Sequence, residues 1–278
     1  VLDESYGNRQ TGDGFLKGVV LAGGLGRRLG PLTEITNKHL LPVWDRPMIF
    51  YPLRTLIEAG IDEVLIVTGG QNPGDFMRLL GDGRQFGFRQ LYFTYQGGQG
   101  GIADALGHAD EFADGGKVCV ILGDNILQRS IRPQIERFEH QHGGARILLK
   151  RVPMPQRFGV PDIRNRCIVR VVEKPRRPPS PYAVIGVYFF DAEVFGIIKT
   201  LRPSRRGELE IADVINTYLR HDTLSHGFQP GWWTDAGTVE SLSHAGVLAA
   251  RTWFRPGARE QFGPGFDRWV RIRAARSA

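Results

Sequence analysis

The chain has 278 residues, 41% of them hydrophobic and 23% charged, with a formal net charge of +7. Its size suits one large α/β domain or two small ones, and no apolar run reaches the roughly 18 residues of a membrane helix. Seven arginines in residues 251–278 face only Glu260 and Asp267, so the basic balance belongs to a tail, and the body lacks the spread basic and stacking residues of a nucleic-acid groove.

Residues 1–16 are polar, glycine-bearing and aperiodic, which predicts a flexible arm. Lys17–Ala22 is an apolar run bounded by glycine and reads as a buried parallel strand. Gly23, Gly24, Gly26 and Gly30 then leave the backbone bare, so that several N–H groups can approach a polyphosphate. Arg27, Arg28 and Lys38 add fixed positive charge to the same place. No Lys-Ser/Thr pair follows the second glycine, which excludes a Walker loop. Gly24-Leu-Gly26-Arg-Arg-Leu29 puts leucine at the third position of a dinucleotide fingerprint. From the glycines alone a turn without chemistry stays open, and the three cations weigh against it.

A helix is predicted at residues 48–59, with Pro47 at its entry and Gly60 as its stop. Strands are expected at 64–68, 90–95 and 117–122, with helices at 75–80 and 101–111. This alternation predicts an α/β fold with a doubly wound, mostly parallel Rossmann-like sheet. Beyond Asn125 come a helix at 131–142, closely spaced strands near 145–152, 168–173 and 184–190, and helices at about 193–198 and 211–220. A turn at 231–237 and a last helix from 239 to about 251 follow. The change of texture predicts a smaller, partly antiparallel half at about 126–250 beside a half at 17–125. For residues 251–278 the composition predicts a disordered, Arg-rich tail. Cys119 and Cys167 both fall in apolar runs and read as reduced core thiols of a cytoplasmic protein.

Two aspartates stand at the ends of elements. Asp124 follows Val118-Cys-Val-Ile-Leu122, at a strand's carboxyl end, where open α/β sheets bind ligands. Asp235 lies in Trp232-Trp-Thr-Asp-Ala-Gly-Thr238. Magnesium in nucleotidyl transfer is held by one or two carboxylates plus substrate phosphates; the alternative for each is a turn or N-cap aspartate. Gln96, in Tyr95-Gln-Gly-Gly-Gln-Gly-Gly-Ile102, carries an amide that can donate to O4 and accept from N3–H of thymine or uracil. Gly101 would let the backbone reach the same base. In Glu173-Lys174-Pro175 the carboxylate can accept from sugar hydroxyls and the ammonium can meet a phosphate, unless the two form only an exposed ion pair.

Leu21-Ala-Gly-Gly-x-Gly-x-Arg28-Leu-x-Pro-Leu-Thr33, Asn37-Lys-His-Leu-Leu-Pro-Val43 and Arg46-Pro-Met-Ile49 together resemble the signature of the sugar-phosphate nucleotidyltransferases. The likeness is greatest to the short glucose-1-phosphate thymidylyltransferases and covers about residues 17–250. It implies that a sugar 1-phosphate oxygen attacks the α-phosphorus of thymidine or uridine triphosphate and that pyrophosphate leaves. It implies Arg28 and Lys38 as catalytic residues. Gly23, Gly24, Gly26, Arg27, Gln96, Gly101 and Asp124 would meet the nucleotide; Gly159, Glu173, Lys174 and Val184 would meet the sugar phosphate. Asp124 and Asp235 would hold Mg²⁺, and the family's habit implies a homo-oligomer, with no nucleic-acid or membrane partner.

Arg27 and Ile185 stand where this family commonly has threonine, and the hydroxyl missing at 185 would remove a sugar contact. Arg206-Gly-Glu-Leu-Glu-Ile-Ala-Asp213 also matches, and its acids read as caps for a helix starting at Ile211. Two other classes stay open. One is a catalytically silent nucleotide-sugar sensor, which Arg27, Ile185 and the unmatched tail would favour. The other is a nicotinamide-dependent oxidoreductase, whose acidic ribose anchor would fall nearest Asp45.

Overall fold

Every residue of β1 (Lys17–Ala22) after Lys17 is buried, because strands flank it on both edges and helices cover both faces. The computed structural model describes residues 16–70, 72–253, 262–263 and 265–268. The expected arm at 1–16 lies outside them apart from Leu16.

After β1 the chain makes two short 3₁₀ turns and a tight antiparallel pair, β2 (Pro42–Val43) and β3 (Arg46–Pro47). Helix α1 (Phe50–Glu58) begins later than residue 48, since the Met48 and Ile49 N–H groups donate back to Leu41 O and His39 O. Next come β4 (Glu63–Gly69), α2 (Gly74–Leu80) and β5 (Gln90–Gln96). The expected helix at 101–111 is two pieces, α3 (Ile102–Gly107) and α4 (Asp110–Ala113). Then follow β6 (Val118–Leu122), β7 (Asn125–Leu127), α5 (Arg132–Glu139) and β8 (Ala145–Arg151). The remainder is β9 (Gly159–Arg164), β10 (Cys167–Glu173), β11 (Tyr182–Phe190), α6 (Glu193–Thr200), α7 (Ile211–Arg220), β12 (Leu224–Phe228), β13 (Trp233–Asp235) and α8 (Val239–Trp253).

β5, β4, β1 and β6 lie side by side and parallel, as the sequence predicts. β11 then pairs antiparallel with β6 and β8, and carries the β9–β10 hairpin beside its start. The two expected halves therefore share one nine-stranded sheet. Alternate residues feed opposite faces. Val20 and Ala22 join a core with Phe50, Leu53 and Phe138; Val19 and Leu21 join one with Leu106, Phe195 and Tyr218. α7 docks through Ile211, Ala212, Val214, Ile215 and Tyr218, the apolar stripe of an amphipathic helix.

Three expectations change. Residues 231–237 are not only a turn: β13 pairs with β7 within them. Cys119 is buried as expected, but Cys167 is exposed at the start of β10, where Val169 and Arg170 are exposed too. The expected disordered tail does not hold where it is described: residues 251–253 end α8, and the rest of 251–278 apart from 262–263 and 265–268 lies outside the described residues. Phe262 and Phe266 are buried, with Phe266 stacked 4.7 Å from Phe86 and lying 5.1 Å from Phe50. Asp267 pairs with the buried Arg46 at 2.9 Å. An aromatic ring gains more from that apolar seam than the tail's charges lose by being tethered.

Phe266→Ala should therefore destabilise the protein by about 3 kcal/mol, the usual cost of an emptied aromatic site. Urea unfolding followed by tryptophan fluorescence measures it, and an unchanged midpoint would mean that the tail does not close the core.

Candidate active site

The carboxyl ends of the parallel strands open on a cavity of about 310 Å³. Gly23 and Gly24 leave β1 along its floor. A Cβ on Gly23 would come within 2.7 Å of Gln96 Oε1, and one on Gly69, which crosses it closely, within 2.9 Å of Gly23 Cα. Gly26 adopts a left-handed φ of 66°, and a Cβ there would meet Lys38 Cβ at 2.8 Å. The loop so closed brings Lys38 back over Gly24. Asn37 pins it: its amide nitrogen donates to Gly69 O (3.2 Å) and Ala22 O (3.4 Å), while its Oδ1 accepts from the His39 N–H at 3.0 Å. Lys38 is thereby aimed at Asp124, with Nζ 2.6 Å from Oδ2.

Asp124 and Asp235, far apart in sequence, meet because β7 and β13 pair, Asp235 opposite Asn125. The Ala236 N–H also donates to Asp124 O at 2.9 Å. Gly237 leaves a gap between the acids. A Cβ on it would lie 3.2 Å from Arg28 Nη2, 3.3 Å from Asp235 Oδ2 and 3.5 Å from Asp124 Oδ2. Their carboxyls are pushed in opposite directions. Burial would raise Asp124, but the Lys38 and His39 charges and hydrogen bonds from Lys38 and Asn125 outweigh it and hold this carboxyl far below the usual range. Burial, then the Asp124 charge, raise Asp235 against Arg157, Arg28 and Lys38. A divalent cation would relieve that repulsion. Among the described residues no three His, Cys, Asp or Glu side chains are arranged to hold a metal. The pair thus fits an ion that takes its remaining ligands from substrate oxygens.

At one end of the cavity lies Gln96, whose amide nitrogen donates to Asp104 Oδ2 (2.6 Å) and Gly101 O (3.2 Å). Gly101 has φ 97°, and a Cβ there would meet Leu209 O at 2.6 Å. At the other end β9 starts at Gly159, which pairs with both Glu173 and Val184. Burial, and then the Glu210 charge, raise the Glu173 carboxyl against the opposing Lys174 and Arg206. Lys174 Nζ lies 3.4 Å from Glu173 Oε1 and Arg206 Nη2 lies 3.9 Å from it.

Twelve of the fourteen expected site residues line this one cavity; Gly26 and Arg27 do not. Arg27 is exposed at the start of the first 3₁₀ turn. Ile185 is fully buried in the core on the far face of β11, where Val184, Gly186 and Tyr188 face the cavity. By strand alternation a threonine there would point away from a ligand too, so no cavity contact is missing. Glu210 sits at the N-cap of α7, yet its carboxylate goes to Ser204 and Arg206, not to the helix N–H groups. Asp45 lies in the β2–β3 turn, paired with Arg46, and not at the end of a second parallel strand.

Sequence reasoning missed Asn125 and Arg157. Asn125 donates to Asp124 Oδ1 (2.9 Å) and accepts from Gly186 N (3.0 Å) and Trp233 Nε1 (2.7 Å), so it locks β11, β13 and Asp124 together. Its place next to Asp124 was the available signal. Arg157 lines the cavity 3.7 Å from Asp235 Oδ2, and its Nη2 is buried without a hydrogen-bond partner. Nothing in its local sequence marks it as other than a strand-approach arginine.

Residues 17–251 match the nucleotidyl transferase family model. A glucose-1-phosphate thymidylyltransferase of Neisseria gonorrhoeae is 43% identical over 237 residues, covering 83% of this chain and 81% of the relative. One from Actinoplanes sp. is 44% identical over 235 residues, 83% of this chain and 77% of the relative. A solved Bacillus anthracis structure, described as a candidate glucose-1-phosphate thymidylyltransferase in complex with a sucrose, is 45% identical. It superposes with a TM-score of 0.84 over 91% of this chain and 99% of that one.

His39 lies under this site, its Nδ1 2.7 Å from Asn37 Oδ1. Burial, and then the Lys38 charge, lower its pKa from 6.5 to about 3. As pH falls below 6.5 the unfolded chain binds a proton that the folded imidazole refuses, so this group removes stability from there down to about 3. An NMR titration should find the His39 ring resonances stationary between pH 8 and pH 5. A midpoint near 6.5 would show that the ring is solvated.

Proposed function

The chain belongs to the nucleotidyl transferase family, and from that premise we propose that it joins thymidine or uridine triphosphate to glucose 1-phosphate or a close relative. The products are a nucleotide sugar and pyrophosphate. The observation that carries this reading is the convergence of Arg28, Lys38, Asp124 and Asp235 beside the bare Gly23–Gly24 backbone.

The sugar phosphate is its own nucleophile, already ionised at neutral pH, so no activated Ser, Cys or His is needed. A new bond forms from its oxygen to the α-phosphorus, and the bond from that phosphorus to the β-phosphate's bridging oxygen breaks. The chain's task is to align the two phosphates and offset their charge. Arg28 meets the crowded α-phosphoryl group, and Lys38 shares that load. Arg157, whose Nη2 has no hydrogen-bond partner, offers a further donor to phosphate. Gln96 and Gly101 take the base, in a slot that suits one ring and excludes purines. Glu173 accepts from sugar hydroxyls, Lys174 meets the sugar's phosphate, and the Gly159 and Val184 backbones border the hexose.

Enzymes of this family generally depend on a divalent metal. Here Asp124 and Asp235 would hold Mg²⁺, which supplies neutralisation of phosphate charge when bound. Two of the features that favoured a silent sensor lose their weight, since Arg27 lies outside the cavity and Ile185 lies in the core. An oxidoreductase lacks its ribose anchor, with Asp45 tied to Arg46.

Pyrophosphate release on mixing each nucleoside triphosphate with a panel of sugar 1-phosphates tests the assignment; turnover with none of them would overturn it. Arg28→Lys should lower kcat roughly 100-fold with little change in KM, because a point charge cannot reproduce the guanidinium fork. Near-normal kcat would move that role to Arg157 or Lys38. Asp235→Asn should abolish metal-dependent turnover while the protein still unfolds in one cooperative step. A variant as fast as the parent at limiting Mg²⁺ would show that Asp235 is no ligand.

A further inference from the structure

We propose that Asp104 decides which base edge Gln96 reads, by fixing its amide so that only the carbonyl oxygen is offered to a nucleotide. The Gln96 amide nitrogen faces Asp104 Oδ2 at 2.6 Å and Gly101 O at 3.2 Å. A carboxylate and a backbone carbonyl can only accept, so the atom facing them must be nitrogen. A primary amide has two N–H bonds, and both are spent. What remains is Oε1, which lies over Gly23 at the cavity floor, where a Cβ would come within 2.7 Å of it.

The arrangement is built. Asp104 stands in the first turn of α3. A Cβ on Gly100 would run into the Asp104 carboxylate, so the glycine makes room for it. The same turn is held from outside: the Leu209 N–H donates to Gly100 O at 2.7 Å, and the Ala103 N–H donates to Leu209 O at 3.2 Å. That strap fixes the backbone from which the carboxylate projects toward Gln96.

The chemistry follows from the one group left open. An acceptor welcomes the N3–H of thymine or uracil and repels the N3 lone pair of cytosine. The expectation that the amide also donates to O4 does not fit, because its protons are taken. Asp104 is thus a positioning residue for base selection, an inference that rests on the reading of Gln96 as the base contact.

The test is the initial rate of pyrophosphate release with glucose 1-phosphate and thymidine, uridine or cytidine triphosphate, for the wild type, Asp104→Asn and Asp104→Ala. The wild type should favour thymidine and uridine over cytidine by about 100-fold or more. Asp104→Asn should cut that ratio by about tenfold or more, since an amide at this position can donate as well as accept and lets Gln96 turn over. Asp104→Ala, which leaves Gly101 O as the remaining anchor, should cut it less, and the KM for glucose 1-phosphate should hold in both. A merely structural role would slow all three nucleotides alike. Turnover with the ratio unchanged in both variants would overturn the role of Asp104 alone. A wild type that used none of the three would overturn the functional reading, and this inference with it.

Discussion

The ion pair between Lys38 and Asp124, 2.6 Å long and only slightly exposed, is the constraint around which the site is assembled. Charges so poorly solvated stay only if each has a partner, and removing one strands the other. The pair also ties the turn carrying Lys38 to the turn after β6, just beyond the last β1–β6 pairing of Leu21 with Leu122. Asn37 holds one side through Ala22 O and Gly69 O; Asn125 holds the other through Asp124 Oδ1. The cations and carboxylates that a polyphosphate and its metal would meet are therefore separated and fixed before any substrate arrives. Such preorganisation is how a site stabilises charge that develops elsewhere.

The sheet explains why all of this lies at one edge. Parallel strands deliver their carboxyl ends to the same side, so β1 contributes Gly23, β5 contributes Gln96 and the turn after β6 contributes Asp124. The antiparallel extension then turns back on the same cavity, adding Gly159, Glu173 and Val184. A change of strand direction at β11 thus brings both parts of one continuous sheet to the same cavity. The irregular register of β11 against β8 between Val184 and Tyr188 frees the Gly186 N–H for Asn125.

Much of this was legible in the sequence. Buried parallel strands announce themselves as unbroken apolar runs, and Asp124 could be placed at a strand end from the run before it. Asp235 could be named but not located, because β13 is three residues long and gains its strand geometry only from pairing with β7. The same limit hid β12, whose alternation Gly227 blurs, and the break between α3 and α4. The buried side of Ile185 was a question of strand phase, which a motif cannot convey. Asp104 has no mark in the sequence, because the room that Gly100 leaves for its carboxylate is visible only in the folded chain.

The aromatic seam of Phe262 and Phe266 against Phe50, Tyr51 and Phe86 bears on the order in which the molecule can be made. The first third of the chain lays down β1, β4 and α1 early in synthesis, yet one face of that core is completed by residues near the other end. Until Phe262 and Phe266 are made and docked, Phe50 and Phe86 lack the ring of Phe266, and the early-made part carries a partly uncovered aromatic surface. Contacts between segments this far apart raise contact order and slow the final step of folding. Closure of that core therefore waits on the last-made of its segments, and the intermediate before it exposes aromatic surface.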